Sequence, residues 1–395
     1  MLAQQAYQEL IQRAREEALL GSCIEMLGWD ELTYMPRKGS GHRGEQMALL
    51  SGLHHAKTTD PRKADLLGAL EGSDLTSDPI SVPAVNIREI RRAYHRAMRL
   101  PRSLVEELAR VTTRAQGEWE FARRDADFGA FCPWLERIII LKRHEAEAVG
   151  YETVPYDALL DEYEPGARSE ALAGLFGHLR NELSPLASAL AESPHQPNVA
   201  ILRREFPIDR QRIFFREVAA AVGFDFGGGR LDATVHPFCS AMGPGDCRLA
   251  TRYHPRDFSD GFFATLHEAG HGLYEQGLDP AHYGTPMGEA PSLSMHESQS
   301  RFWENNIGRG RPFWKHFFPL AQAAFPEALR DVDLDELYFA VNHVARSPIR
   351  ATADEVTYNL HILVRFDLER ALVAGDLKAR DLPGAWNDAY RHYLG

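Results

Sequence analysis

His267-Glu268-Ala269-Gly270-His271 is the stretch on which the reading of this chain turns. Side chains four residues apart stack on one face of a helix, so His267 and His271 can reach one metal ion together. Glu268 projects beside them, where it can take a proton from water without ligating the metal. The flanks agree with a helix. Ser259 and Asp260 are expected as caps, and Phe262, Leu266, Ala269 and Leu273 fall close together on the wheel to face a core. That leaves the two histidines on the flank. Gly270 and Gly272 each cost about 1 kcal/mol relative to Ala inside a helix, so another backbone or a substrate is expected to come close there. With 17 histidines in 395 residues, composition predicts on the order of 0.05 accidental copies of the pattern. Context decides the rest.

A catalytic zinc ion usually has three protein ligands and a water. Glu297, in His296-Glu297-Ser298-Gln299, lies 26 residues after His271. It falls in an amphipathic segment from about Ser292 to Asn306 that reads as helix. Pro286 and Pro291 punctuate the connecting loop, so a helix–loop–helix can fold Glu297 back onto the metal. Glu304 and, in the loop, Glu289 are competing carboxylates, and spacing alone leaves the choice open.

Further motifs run in order along the chain. They are Leu27-Gly28-Trp29-Asp30-Glu31-Leu32-Thr33-Tyr34-Met35-Pro36, Arg43-Gly44-Glu45-Gln46, and Tyr156 to Asp161 leading into Tyr163-Glu164-Pro165-Gly166. His236-Pro237-Phe238, Asp246-Cys247-Arg248, and Ile349-Arg350 with Ala353-Asp354 follow. With these, the chain resembles the carboxypeptidase Taq family of metal-dependent carboxypeptidases over essentially its whole length. The resemblance implies Glu297 as the third zinc ligand beside His267 and His271, with Glu268 as the general base. Nitrogen and oxygen ligands tolerate several first-row metals, so cobalt is expected to be able to substitute. The resemblance also implies a mainly α, gluzincin-like fold: one domain over 1–395 with a long groove, a small β-hairpin beside the zinc helix, and commonly a homodimer. Two departures stand out. Relatives often read Asp-x-Arg-x-Thr where this chain has Ala250, with threonine only at Thr251, and one hydrogen bond worth about 0.5–1.5 kcal/mol is at stake. Relatives also typically continue past the equivalent of Tyr393-Leu394-Gly395 through a Gly-x-x-Gln-Asp-x-His-Trp motif. A short member with a more open cleft and an incomplete chain both fit.

The remaining composition is that of a large globular protein, with 44% hydrophobic residues. A net charge of −12 without Lys/Arg clustering argues against nucleic acid as partner. The charged amphipathic pattern from Met1 to Leu20 lacks the apolar core of a secretory signal, and no apolar run approaches membrane-spanning length. The four cysteines Cys23, Cys132, Cys239 and Cys247 show no Cys-x-x-Cys pairing. A cytoplasmic protein with reduced thiols is expected; Cys239 and Cys247 read as buried structural thiols rather than metal ligands. Gly227-Gly228-Gly229 lacks the lysine and helix start of a phosphate loop and reads as a turn.

Periodicity predicts helices at about 3–28, 41–55, 85–98, 103–124, 128–148, 169–191, 209–222, 334–345, 353–373 and 383–393. Thr352 and Glu355 form a capping-box pair at one start. The strand signals are Leu231-Asp232-Ala233-Thr234-Val235 and Leu249 to Tyr253, expected as a hairpin that could bind peptide backbone as an added strand.

The expected activity is therefore removal of C-terminal residues from peptides. Recognition of a free C-terminal carboxylate calls for a bidentate arginine. Arg350 is the first choice, with an ion pair to Asp354 as the alternative role; Arg252 and His236 come second, for substrate carboxylate or oxyanion contacts. Two other activities remain open from the residues: an endo-acting metallo-oligopeptidase with an open groove, and a catalytically weak peptide-binding protein. Intact Glu268 argues against the latter.

Overall fold

A computed structural model of the chain describes residues 2–350 and 353–395. Helices dominate, and the only sheet among the described residues has three short strands: β1 (Gly229–Ala233), β2 (Phe238–Gly243) and β3 (Asp246–Thr251). The chain forms two compact units, Met1–Ala97 with Pro197–Val341 and Met98–Gln196 with Asn342–Gly395.

The first unit contains the sheet and the helix Phe258–Gly277 that carries the two histidines. Phe262, Leu266 and Ala269 are buried as the wheel requires. They enter a core of aromatic rings in which Phe262 stacks on Phe214 and Phe258 and lies beside Trp314. Such rings each bury large apolar areas and hold this helix rigidly along its back. The expected caps need correction. Asp257 is the N-cap, accepting the Asp260 N–H at 3.2 Å, while the Asp260 carboxylate grips Arg252.

The expected hairpin also needs correction. β1 and β3 are neighbours but run parallel, Leu231 opposite Leu249, and β2 is the antiparallel partner of β3. Parallel neighbours cannot be joined by a tight turn; here the intervening β2 supplies the return. The sequence Phe-Cys-Ser-Ala-Met-Gly has no β-branched residue, which is why its strand signal is weak. Thr251 ties the sheet to the histidine helix: its hydroxyl donates to Gly261 O at 3.2 Å and accepts from Thr265 at 3.1 Å. Ala250, the preceding residue of β3, is fully buried and offers no hydroxyl; successive side chains of a strand point to opposite faces, so Thr251 does not stand in for it.

The N-terminal signature packs on this sheet. The Trp29 ring has Arg248 over it at 4.3 Å and Arg230 at 5.0 Å, and Tyr34 donates to Asp232 at 2.6 Å. Arg43 pairs with Asp30 at 2.5 Å. Its first helix runs Ala3–Thr33, longer than periodicity predicts.

The second unit is built on the helices Arg102–Asp125, Phe128–Val149, Ser169–Ala191, Glu355–Ala374 and Leu382–Leu394. The Thr352 half of the expected capping box lies outside the described residues. Asp354 caps the Glu355 helix instead, accepting the Val356 and Thr357 N–H groups at 3.0 and 2.9 Å. His361 is fully buried in this helix and bonds the Tyr390 hydroxyl at 2.8 Å. Burial, and then the Arg365 charge, hold its imidazole down at about 4, against an ordinary 6.5. The unfolded chain takes up this proton at a higher pH than the folded one. Its contribution to stability is therefore full above about pH 6.5 and is lost as the pH falls through about 4. A His361→Gln variant should show a smaller drop in Tm than wild type between about pH 7 and about pH 4. Equal drops would remove His361 as the source.

Candidate metal centre

His267 and His271 occupy successive turns of the Phe258–Gly277 helix, with their imidazole centroids 5.0 Å apart. Glu297 comes from the helix Leu293–Arg301, whose start is capped by Ser292 accepting the Met295 N–H at 3.0 Å. One oxygen of Glu297 lies 3.6 Å from His267 Nε2 and 3.3 Å from His271 Nε2. The three donors lie within 4.8 Å of one another, and they are the one such group of three among the described residues. Two imidazole nitrogens and a carboxylate oxygen suit zinc and other first-row divalent ions.

Glycine makes this convergence sterically feasible. A Cβ on Gly270 would stand 2.6 Å from Ser300 Cα and 2.8 Å from Gln299 O, so the helix bearing Glu297 seats directly on the bare backbone of the histidine helix. Gly272 does the same on the other side, where a Cβ would meet Phe224 at 2.6 Å. Backbone atoms cannot swing aside as a side-chain tip can. Gly270→Ala should therefore cost about 1–3 kcal/mol of stability and spread the ligands. A variant with wild-type Tm and wild-type metal affinity would show that the contact does not constrain the site.

Glu304 is no rival ligand in this geometry. Its carboxylate accepts from His267 Nδ1 at 2.9 Å and from Arg301 at 2.7 Å. A proton held on Nδ1 leaves the Nε2 lone pair directed at the cluster, a familiar outer support for a metal-binding histidine. Glu304 sits in the π-helical turn Phe302–Ile307 that continues the Glu297 helix. Glu289, the other rival, is not among the three.

Electrostatics match the placement. Burial works against charge on Glu297, but hydrogen bonds from His267 and His271 outweigh it and hold the carboxyl well below the usual range. Burial likewise opposes Glu304, yet the His267 hydrogen bond and the Arg301 charge pull it down. His267 is raised to about 10: burial opposes the proton, and the Glu297 and Glu304 hydrogen bonds overcome it. Burial lowers His271. Glu268 is buried, and burial raises it to about 7 against the nearby His267 charge, with Glu297 and Glu304 adding to the rise.

Other residues singled out by sequence fall elsewhere. His236 is exposed between β1 and β2. Arg252 spends both arms of its fork on Asp260. Arg350 lies in the second unit, donating to the Tyr358 hydroxyl at 2.6 Å; Asp354 serves as a helix cap rather than as its partner. Cys239 and Cys247 are free thiols with sulfurs 3.6 Å apart, and neither joins the three-donor group. The residues that sequence reasoning did not single out are Glu275 and, as a group in its own right, His296. His296 Nε2 and a Glu275 oxygen are 2.7 Å apart. The spacing of Arg301 and Glu304 at i, i+3 was the one local signal for the support beneath His267.

A helix-borne pair of histidines joined by a glutamate from a following helix, with a second glutamate beside the first histidine, defines a metallopeptidase class of site. Comparison with known proteins makes the assignment particular. Residues 9–395 match the family model described as carboxypeptidase Taq (M32) metallopeptidase. The chain is 48% identical over 404 residues to thermostable carboxypeptidase 1 of Thermus thermophilus, covering all of this chain and 79% of that one. It is 36% identical over 375 residues to carboxypeptidase 1 of Bacillus subtilis, covering 94% and 74%. Among solved structures, the M32 carboxypeptidase of Deinococcus radiodurans superposes with a TM-score of 0.93 at 40% identity, over 99% of this chain and 78% of that one. The chain belongs to the M32 family of metallocarboxypeptidases, and it is a peptide hydrolase.

Proposed function

We propose that the chain is a zinc carboxypeptidase in which His267, His271 and Glu297 hold the metal and Glu268 is the general base. The observation that carries this is the approach of both Nε2 atoms to a single Glu297 oxygen, with the buried Glu268 next in sequence to one of them. When bound, the ion supplies Lewis acidity that polarises the scissile carbonyl and makes water easier to deprotonate. Glu268 takes the proton from the attacking water and later returns it to the leaving amine, both from one buried position next to His267. Glu304 keeps the proton on His267 Nδ1, so that Nε2 stays available. Cobalt is expected to substitute, because nitrogen and oxygen donors tolerate several first-row ions.

The proposed substrates are peptides with a free C-terminus, whose carboxylate Arg350 recognises through its fork; His236 is a second contact. Arg252, already paired with Asp260, is the weakest of the three candidates. The match of one family model to segments of both units supports reading 1–395 as one catalytic domain. No helix among the described residues is long and apolar enough to cross a membrane. We propose a cytoplasmic location, the compartment that suits its four free cysteines.

The test follows a peptide and its C-terminally amidated twin by mass spectrometry with zinc present. Stepwise shortening of the free peptide alone is expected. Internal cuts in both would establish an endo-acting oligopeptidase instead. Arg350→Ala should raise KM for free peptides strongly; an unchanged KM would remove Arg350 from carboxylate recognition.

A further inference from the structure

The two histidines are supported in different ways. His267 is held through its rear nitrogen by Glu304. His271 Nδ1 is buried and has no hydrogen-bond partner among the described residues. A metal-binding imidazole normally has its ring orientation set by a hydrogen bond at that position. What His271 has instead is a face. The His296 ring lies parallel to it, with centroids 4.5 Å apart and planes 16° from each other. His296 is in turn fixed from two directions: its Nε2 bonds Glu275 at 2.7 Å, and Tyr274 meets it edge-on at 5.2 Å. Glu275 lies one turn beyond His271 on the same helix. Helix, carboxylate, second imidazole and His271 thus form a closed loop of contacts.

We propose that His296, oriented by Glu275, is a positioning residue that sets the ring plane of His271 by stacking, in place of the missing hydrogen bond at Nδ1. The proposal rests on His271 being a metal ligand. Aromatic rings at this separation prefer offset-stacked geometry, and a pair contributes beyond its buried area. The ring plane matters because the Nε2 lone pair lies within it: a tilt of the imidazole swings the donor away from the point shared with His267 and Glu297. His296 adjoins Glu297 in the chain, so one short helical segment both supplies the third donor and holds the second.

The experiment measures zinc affinity by chelator competition and the visible spectrum of the cobalt-loaded protein, for wild type, His296→Ala, His296→Phe, Glu275→Gln and His271→Ala. Circular dichroism of the metal-free proteins checks that each variant is folded. His296→Ala should weaken zinc binding about 10–100-fold, the range for loss of an outer support, and shift the cobalt bands. His296→Phe keeps a ring against His271 without the Glu275 hydrogen bond, and should recover a large part of the affinity and the wild-type band positions. Glu275→Gln, which retains a hydrogen-bonding partner, should fall between wild type and alanine.

Wild-type affinity and spectrum in His296→Ala would overturn the proposal. So would a phenylalanine variant no better than alanine, since His296 would then act through the backbone of Glu297 rather than through its ring. His271→Ala keeps the two failures apart. If it binds zinc as wild type does, the ligand assignment itself is wrong. If it loses zinc while His296→Ala does not, the ligand assignment stands and only the stacking role falls.

Discussion

Glu268→Gln should lose about 10²–10⁴-fold in kcat, the typical contribution of a positioned general base, while keeping a full complement of metal. The substitution preserves shape and keeps a polar end in the same buried place, so it removes the proton acceptor and little else. Glu268 is only 5% exposed, and no outside base can take over its position readily. A neutral amide in place of a buried carboxylate should also leave folding unharmed, because desolvating the charge is what burial penalises there. Turnover of an unblocked peptide and metal content per chain are the two measurements. Near-normal kcat with metal present would end the assignment of Glu268 as base; lost metal would instead make it part of the binding set.

Glu297→Ala is the second change with a large expected effect, and its comparison with Glu304→Gln assigns the two carboxylates. If Glu297 donates to the ion, its removal takes away one of three ligands. Glu304 acts through His267, and its loss should weaken binding only about 10–100-fold. Stability gives an independent readout, because an ion that binds the folded chain raises stability with the logarithm of its concentration over Kd. Zinc should therefore raise the Tm of wild type most, that of Glu304→Gln less, and that of Glu297→Ala least. The reverse order would exchange their roles. A chelator should lower the wild-type Tm yet leave Glu297→Ala nearly where it stands.

Much of this site was legible because its central part is local. The spacing of His267 and His271, the apolar face of Phe262, Leu266 and Ala269, and the two glycines all lie within one helix, and the fold puts them where periodicity says. Glu297 was harder. The carboxylates Glu289, Glu297 and Glu304 share one segment of chain, and the distinction between ligand and support depends on how that segment docks on Gly270. The π-helical turn at Phe302–Ile307, where Glu304 sits, has no sequence mark of its own. The role of His296 was hidden for a related reason: its partners Glu275 and His271 lie across a loop of no regular pattern.

Strands fared worse than helices. β2 lacks the branched and aromatic run that marks a strand, and the direction of β1 against β3 is a property of the chain path rather than of either segment. The helix Arg311–Ala324 also escaped, because Pro319 interrupts its pattern. Asp354 caps the Glu355 helix two positions beyond Thr352, as happens at helix ends where several polar residues can serve.

The order in which the chain visits its two units bears on how it is made. Residues of the first unit precede residue 98 and resume at 197, and those of the second are likewise split. During synthesis the Trp29 region must wait for Arg230 and Arg248, and Tyr34 for Asp232, about 200 residues later. Closing such loops costs chain entropy before any contact repays it, which slows folding. No single cut in the polypeptide releases either unit whole. Limited proteolysis of the native protein is thus expected to give nicked, still-associated fragments rather than two independent domains.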